Sequence, residues 1–211
     1  MTMTADNFAS VTDVSRETLE KLQVYADLLV KWQSSYNLVG PTTLADLWQR
    51  HMLDSAQMVP LVRKAHPEKA QFTWLDFGSG AGFPGLVMSI MGLGHAHMVE
   101  SNGKKCAFMR EVVRKTGTQA TVHQVRIEDM NHTEVDFITS RALAPVSELL
   151  NWGERFLAEG VEFWLLKGRG VDQELTDAGL CWKMDVQRHQ SQTDEDGVCL
   201  HIRGVTRVGA K

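Results

Sequence analysis

A short, mostly apolar run, Phe72-Thr-Trp-Leu-Asp76-Phe77, breaks directly into Gly78-Ser-Gly80-Ala-Gly82-Phe-Pro84-Gly85. A buried strand that ends in alternating glycines, with a proline soon after, opens a strand–turn–helix unit. Glycine suits such a turn because it accepts positive φ and lets a ligand approach the backbone with no Cβ between them. The helix that follows offers unpaired N–H groups and the positive end of its dipole. The turn is therefore expected to hold an anionic or zwitterionic ligand at the carboxyl edge of a sheet.

The rest of the chain supports a sheet. Residues 84–91 read as a helix, 95–100 as a second strand and 104–115 as a second helix. Strands follow at 121–125, 135–139 and 161–166, with helical patterns at 145–157 and 172–180 and a closing hairpin from 182–188 and 198–205. Strand alternating with helix predicts a mainly parallel sheet covered on both faces. Upstream the pattern is helical. Residues 1–13 are polar and expected to fray. Ser15 then caps a stripe of Leu19, Leu22, Tyr25, Leu29, Trp32 and Tyr36, at the spacing of an amphipathic helix. Gly40-Pro41 ends it, and Thr42 or Thr43 caps a second helix running to Pro60. The expected organisation is a helical extension over residues 1–71 and an α/β core over 72–211.

Two ligand classes use such a turn. Gly80, Gly82 and Gly85 satisfy the dinucleotide pattern GxGxxG, which is weak alone. Asp76 argues for the other class, because a carboxylate at the strand end repels a pyrophosphate but favours the ammonium and sulfonium of S-adenosylmethionine. Glu100, twenty residues beyond Gly80, suits two ribose hydroxyls in either design. Ile127, Glu128 and Asp129 follow the third strand, where an adenine edge could be read, although a solvated loop explains the acids equally.

Charge and cysteines narrow the class. Lys plus Arg is 22 against 26 Asp plus Glu, a net charge of −4, which excludes a generally polycationic nucleic-acid binder but not a local patch. Lys104, Lys105, Arg110, Arg114, Lys115 and Arg126 form one basic stretch; Lys167 with Arg169, and Arg203, Arg207 and Lys211, form others. Cys106, Cys181 and Cys199 include no CxxC pair, so neither a disulfide framework nor a cysteine zinc site is expected, and a reducing compartment fits. His95 and His97 read as core or surface groups, and no metal ligand set is expected. No run of 18 apolar residues and no signal peptide is found, so membrane association is not expected and a cytoplasmic location is.

If a methyl group is transferred, the acceptor is constrained by what is missing. The segment Thr139-Ser-Arg141-Ala-Leu-Ala144 carries no Asn/Asp-Pro-Pro-aromatic motif for an exocyclic amine, and no Pro-Cys pair offers a thiolate for pyrimidine C5. An acceptor that is already nucleophilic remains, such as guanine N7.

These residues, with Lys31-Trp32, Tyr36-Asn-Leu38, Arg50-His51-Met-Leu-Asp54-Ser55, Ser140-Arg141-Ala142 and Leu166-Lys167-Gly168, resemble the glucose-inhibited division protein B family of ribosomal small subunit methyltransferases. The resemblance implies a class I Rossmann-like S-adenosylmethionine-dependent methyltransferase that acts at guanosine N7 in the decoding-region loop of 16S rRNA. It implies donor contacts at Gly78, Phe83, Ile127, Glu128 and Arg141, with Glu100 on the ribose. Asp76, Gly80 and Gly82 complete the expected donor site, and Arg141 and Lys167 are the expected catalytic pair. The partner implied is 16S rRNA, within a 30S or pre-30S particle, bound by a monomer. Family members often carry Leu or Ile where Phe83 stands, and Phe where Leu143 stands. His51 and Asp54 either pin the extension to the core or form a wall near donor and base.

Overall fold

The computed structural model describes residues 2–209, so Lys211 of the basic C-terminus lies outside the described residues. Helices α1 (Ala5–Thr12), α2 (Arg16–Gln33), α3 (Asp54–Ala56) and α4 (Met58–Ala65) precede the sheet. The strands are β1 (Phe72–Phe77), β2 (Gly94–Val99), β3 (Ala120–His123), β4 (Phe137–Arg141), β5 (Glu162–Lys167), β6 (Trp182–Gln190) and β7 (Val198–Arg207). Between them lie α5 (Gly85–Ile90), α6 (Gly103–Thr116), α7 (Val146–Gly153) and α8 (Val171–Gly179).

The seven strands run in the order β3-β2-β1-β4-β5-β7-β6. The first five are parallel, and β7 inserts antiparallel between β5 and β6. The chain moves outward from β1 to β2 and β3, then returns to β4 on the other side. The carboxyl ends of β1 and β4 therefore flank the point where the topology reverses, the place where open α/β sheets form a ligand crevice.

Alternation along β1 divides the core. Phe72 and Trp74 point to one face, and Leu75 and Phe77 to the other. The second face is closed by α7 and α8 through Val146, Leu149, Leu150 and Ala178. The first is closed by α5, α6 and the N-terminal helices, with Phe8, Leu22, Tyr25 and Leu29 fully buried against the sheet side chains. Every residue of α5 is buried, because the extension covers what would otherwise be its solvent face.

Two expectations about the extension need correction. Residues 5–12 form helix α1 rather than a frayed end. Thr4 and Asn7 form a reciprocal capping box, and α1 delivers Phe8 into the core; the polar outer positions hid that one anchor. Nor does the second helix run unbroken from Thr43 to Pro60. A 3₁₀ turn at Pro41–Thr43 is followed by a π-helical turn at Trp48–Leu53, and α4 continues through Pro60 to Ala65. Pro60 sits in the first turn of α4, where a missing N–H costs no helical hydrogen bond.

Candidate functional site

The carboxyl edge of the sheet holds a cavity of about 790 Å³, within the range of ligand sites. Gly78, Gly80 and Phe83 line it from the turn after β1, Glu100 from the end of β2, Ile127 and Glu128 from the 3₁₀ turn after β3, and Arg141 from the end of β4. Seven expected donor-site residues thus come together from four separate segments. Gly78 and Gly80 adopt φ of +62° and +57°, where any other residue is strained.

Glu100 is held in place by the turn it faces. One carboxylate oxygen accepts from Gly80 N at 3.0 Å and the other from Asn102 N at 2.7 Å. A carboxylate has about four acceptor sites, so capacity remains for a vicinal diol. The Ile127–Asp129 turn is fixed from outside, because Arg155 donates to the carbonyls of Ile127 and Glu128. Sequence reasoning missed Arg155, which lies far along the chain in the turn after α7.

Asp76 and Gly82 are placed differently from the expectation. Asp76 is fully buried beneath the turn and does not line the cavity. It accepts from Thr139 Oγ1 at 2.7 Å and Gly85 N at 3.4 Å, so it braces the start of α5 against β4. Burial pushes its carboxyl up to about 6, against the hydrogen bonds from Thr139, Gly85 and Ser79 and the field of Arg141. Gly82 is required by packing: a Cβ there would lie 2.5 Å from Leu86 Cδ1 and 2.8 Å from Tyr25 Oη. Tyr25 Oη itself donates to Ala81 O at 2.5 Å, so α2 of the extension holds the glycine turn directly.

The RHxxDS segment reaches Arg141. Arg141 donates to His51 Nδ1 at 2.9 Å, Arg50 O at 3.0 Å and Asp54 Oδ2 at 3.1 Å, and its guanidinium lies over the Phe83 ring. Arginine has no acceptor, so His51 Nδ1 carries the lone pair and Nε2 donates to Thr43 Oγ1 at 2.8 Å. Burial and the positive fields of Arg141 and Arg50 push the imidazole down to about 3; His51 is a neutral, fixed acceptor. The segment ties the extension to the core, and Arg50, His51 and Asp54 line the cavity. The Phe83 ring is in contact with Tyr25, His51 and Arg141.

Lys167 does not line this cavity. It lines a second one of about 420 Å³ that shares Asp54, Arg141, Ala142 and Leu143 with the first. Its side chain is 8% exposed, pairs with Glu174 at 2.6 Å and donates to Ala144 O at 2.8 Å. The wall between the cavities is the loop after β4, where Ala142 is held at φ +50° and Leu143 is 40% exposed. A non-glycine residue in that region marks a backbone over-determined by its surroundings.

Much of the expected basic surface is paired internally. Arg114 meets Glu111, Arg169 meets Asp196, Arg203 meets Asp185 and Arg207 meets Glu154. Lys105 and Arg126 instead line the first cavity, joined by Arg50. Cys106, Cys181 and Cys199 are free thiols. No described helix is long and apolar enough to cross a membrane.

The family model described as GidB, rRNA small subunit methyltransferase G, matches residues 18–202. Two relatives named ribosomal RNA small subunit methyltransferase G are similar over almost the whole chain. The one from Paramagnetospirillum magneticum is 50% identical over 99% of this chain and 100% of its own length. The one from Rhodospirillum rubrum is 45% identical over 98% and 100% respectively. A solved structure from Listeria monocytogenes, provisionally described as a class I S-adenosylmethionine-dependent methyltransferase, is similar in fold, with a TM-score of 0.64 at 12% identity. It covers 99% of this chain and 72% of its own.

Proposed function

The chain belongs to the GidB family of rRNA small subunit methyltransferases G, and from that premise we propose that its two adjoining cavities carry out one reaction, methylation of a guanosine at N7 in 16S rRNA. S-adenosylmethionine is the methyl donor, which overturns the nicotinamide reading of the glycine pattern. The observation that carries the assignment of sites is the shared wall: Asp54 and Arg141 to Leu143 face both cavities.

The first cavity fits the donor. Glu100 supplies acceptors to the ribose hydroxyls, Gly80 admits the chain of the donor close to the backbone, Gly78 lines the same turn and makes room for Leu143, and Ile127 and Glu128 flank the adenine. The donor supplies an electrophilic methyl group on a sulfonium. The base enters the second cavity, beside Leu143 and Lys167, so that N7 faces the wall.

The chain's residues do not act as a base in this reaction, and none is required. Guanine N7 has a free lone pair; the N–C bond forms as the C–S pair returns to sulfur, and no proton moves. His51 has both nitrogens committed. What remains for the protein is alignment and electrostatics. Positive charge passes from sulfur to the purine, and a bare cation beside the base would oppose it. Arg141 is paired with Asp54 and Lys167 with Glu174, so each cation can orient a polar group while its net field stays small. Lys105, Arg126 and Arg50 at the first cavity serve RNA phosphates.

The substrate is the rRNA folded in a 30S or pre-30S particle, and the enzyme acts as a cytoplasmic monomer. The test is in vitro methylation with labelled donor, comparing naked 16S rRNA with 30S subunits from cells lacking the gene. 7-Methylguanosine formed on particles supports the reading; label recovered in any other nucleoside, or none in either RNA, sinks it.

A further inference from the structure

We propose that His66, Glu162 and His201 form a binding site for one divalent transition-metal cation of the zinc class, away from the methyl-transfer site. The three come from distant parts of the sequence: His66 caps the end of α4, Glu162 opens β5 and His201 lies within β7. One oxygen of Glu162 meets His66 Nε2 at 3.0 Å and His201 Nε2 at 2.7 Å. The three potential ligand atoms all lie within 4.8 Å of one another. Two ligands about 2.0–2.1 Å from a tetrahedral zinc are about 3.3 Å apart, so the two Glu162 spacings open by about 0.3 and 0.6 Å, while the two imidazole nitrogens, up to 4.8 Å apart, draw together through the partly exposed His66 side chain. Two imidazoles and one carboxylate form a donor set typical of zinc and its first-row neighbours.

The surroundings suit an ion that enters from one side. His201 is 1% exposed, with Trp164 stacked on its ring at 3.9 Å between centroids, so its orientation is fixed. The side chains of Glu162 and His66 are partly open, at 17% and 28%, which leaves an approach and room for a solvent ligand.

The outer shell limits the affinity. With Nε2 on the metal, the imidazole proton must sit on Nδ1, and His201 Nδ1 is buried with no hydrogen-bond partner. Lack of such a partner typically costs 10–100-fold in affinity. The expected site is therefore micromolar and reversible, weaker than a dedicated structural zinc centre. Bound there, the ion joins the end of the N-terminal extension to β5 and β7, and stabilises the packing of α4 on the sheet.

Calorimetric titration of the full chain with zinc sulfate, at pH 7.5 and with no donor present, tests this. One zinc per chain is expected, with a rise in Tm on saturation. His66→Gln, at the most exposed of the three positions, should weaken that binding at least tenfold while the protein stays folded by circular dichroism. Glu162→Gln, which retains a hydrogen-bond acceptor, should do the same. The half-buried pair His97 and His123, 2.9 Å apart, is the competing site, and His97→Gln should leave the stoichiometry unchanged. Absence of binding, binding insensitive to His66→Gln, or binding lost only in His97→Gln would overturn the assignment.

Discussion

Asp76 and His51 are buried with opposite electrostatic preferences, and pH separates them. The folded-state value of Asp76, about 6, lies above its ordinary 3.8. The folded protein then binds more protons than the unfolded chain between those values, and this group's contribution falls as pH rises through that window, by roughly 3 kcal/mol in total. His51 is pushed down to about 3 from 6.5; its contribution is present above about 6.5 and is lost as pH falls. The two slopes oppose each other between pH 4 and 6. Urea unfolding across that range should show Asp76→Asn gaining stability relative to wild type as pH rises. His51→Gln should do the reverse, and parallel profiles would refute both assignments. Arg141→Lys keeps the charge but loses the fork that joins His51, Asp54 and the Arg50 carbonyl. Methyl transfer should fall about 100-fold from misalignment, with circular dichroism unchanged; near-wild-type turnover would remove Arg141 from the site.

At the scale of elements, the extension reaches the proposed donor site through one hydroxyl. Tyr25→Phe removes the bond from α2 to Ala81 O and leaves that carbonyl without its partner. A loss of about 1–3 kcal/mol in urea unfolding is expected, together with weaker donor binding by calorimetry; a stability loss with unaltered donor affinity would make Tyr25 purely structural. The central elements were legible in the sequence because strand–turn–helix units announce themselves locally: the glycine turn, Ser15 as a cap, and the alternation from Phe72 onward. The π-helical turn at Trp48–Leu53 was not legible, because its apolar residues also fit ordinary helical spacing. That turn carries Arg50 and His51 to Arg141 and leads into Asp54, and π-turns often mark functional sites. Asp76 illustrates a different limit. Its place at a strand end was readable, but whether it faced the ligand or the floor depended on Thr139 and Gly85 closing over it. The ties of Asp54 to Thr193 and of Gln57 to Gln192, which hold the β6–β7 loop against the extension, span more than a hundred residues and leave no local signature.

Over the whole molecule, the net charge of −4 conceals a division of labour. Asp54 pairs with Arg141 and Glu174 with Lys167 at the proposed reaction centre, while Arg50, Lys105 and Arg126 line the first cavity. Binding of rRNA should therefore weaken steeply with salt despite the acidic total, whereas donor affinity should change little. Lys167, in the second cavity, should separate the two half-sites. Lys167→Met should lower methyl transfer at least tenfold with donor affinity kept, and the opposite order would move Lys167 to the donor. The central claim, that this chain methylates guanine N7 in 16S rRNA, is tested most directly in cells. Nucleoside mass spectrometry of the decoding-region loop fragment, from a strain lacking the gene, should show guanosine in place of 7-methylguanosine. The methylated nucleoside should return on expression of the wild-type chain. Persistence of 7-methylguanosine in that fragment without the gene would contradict the account.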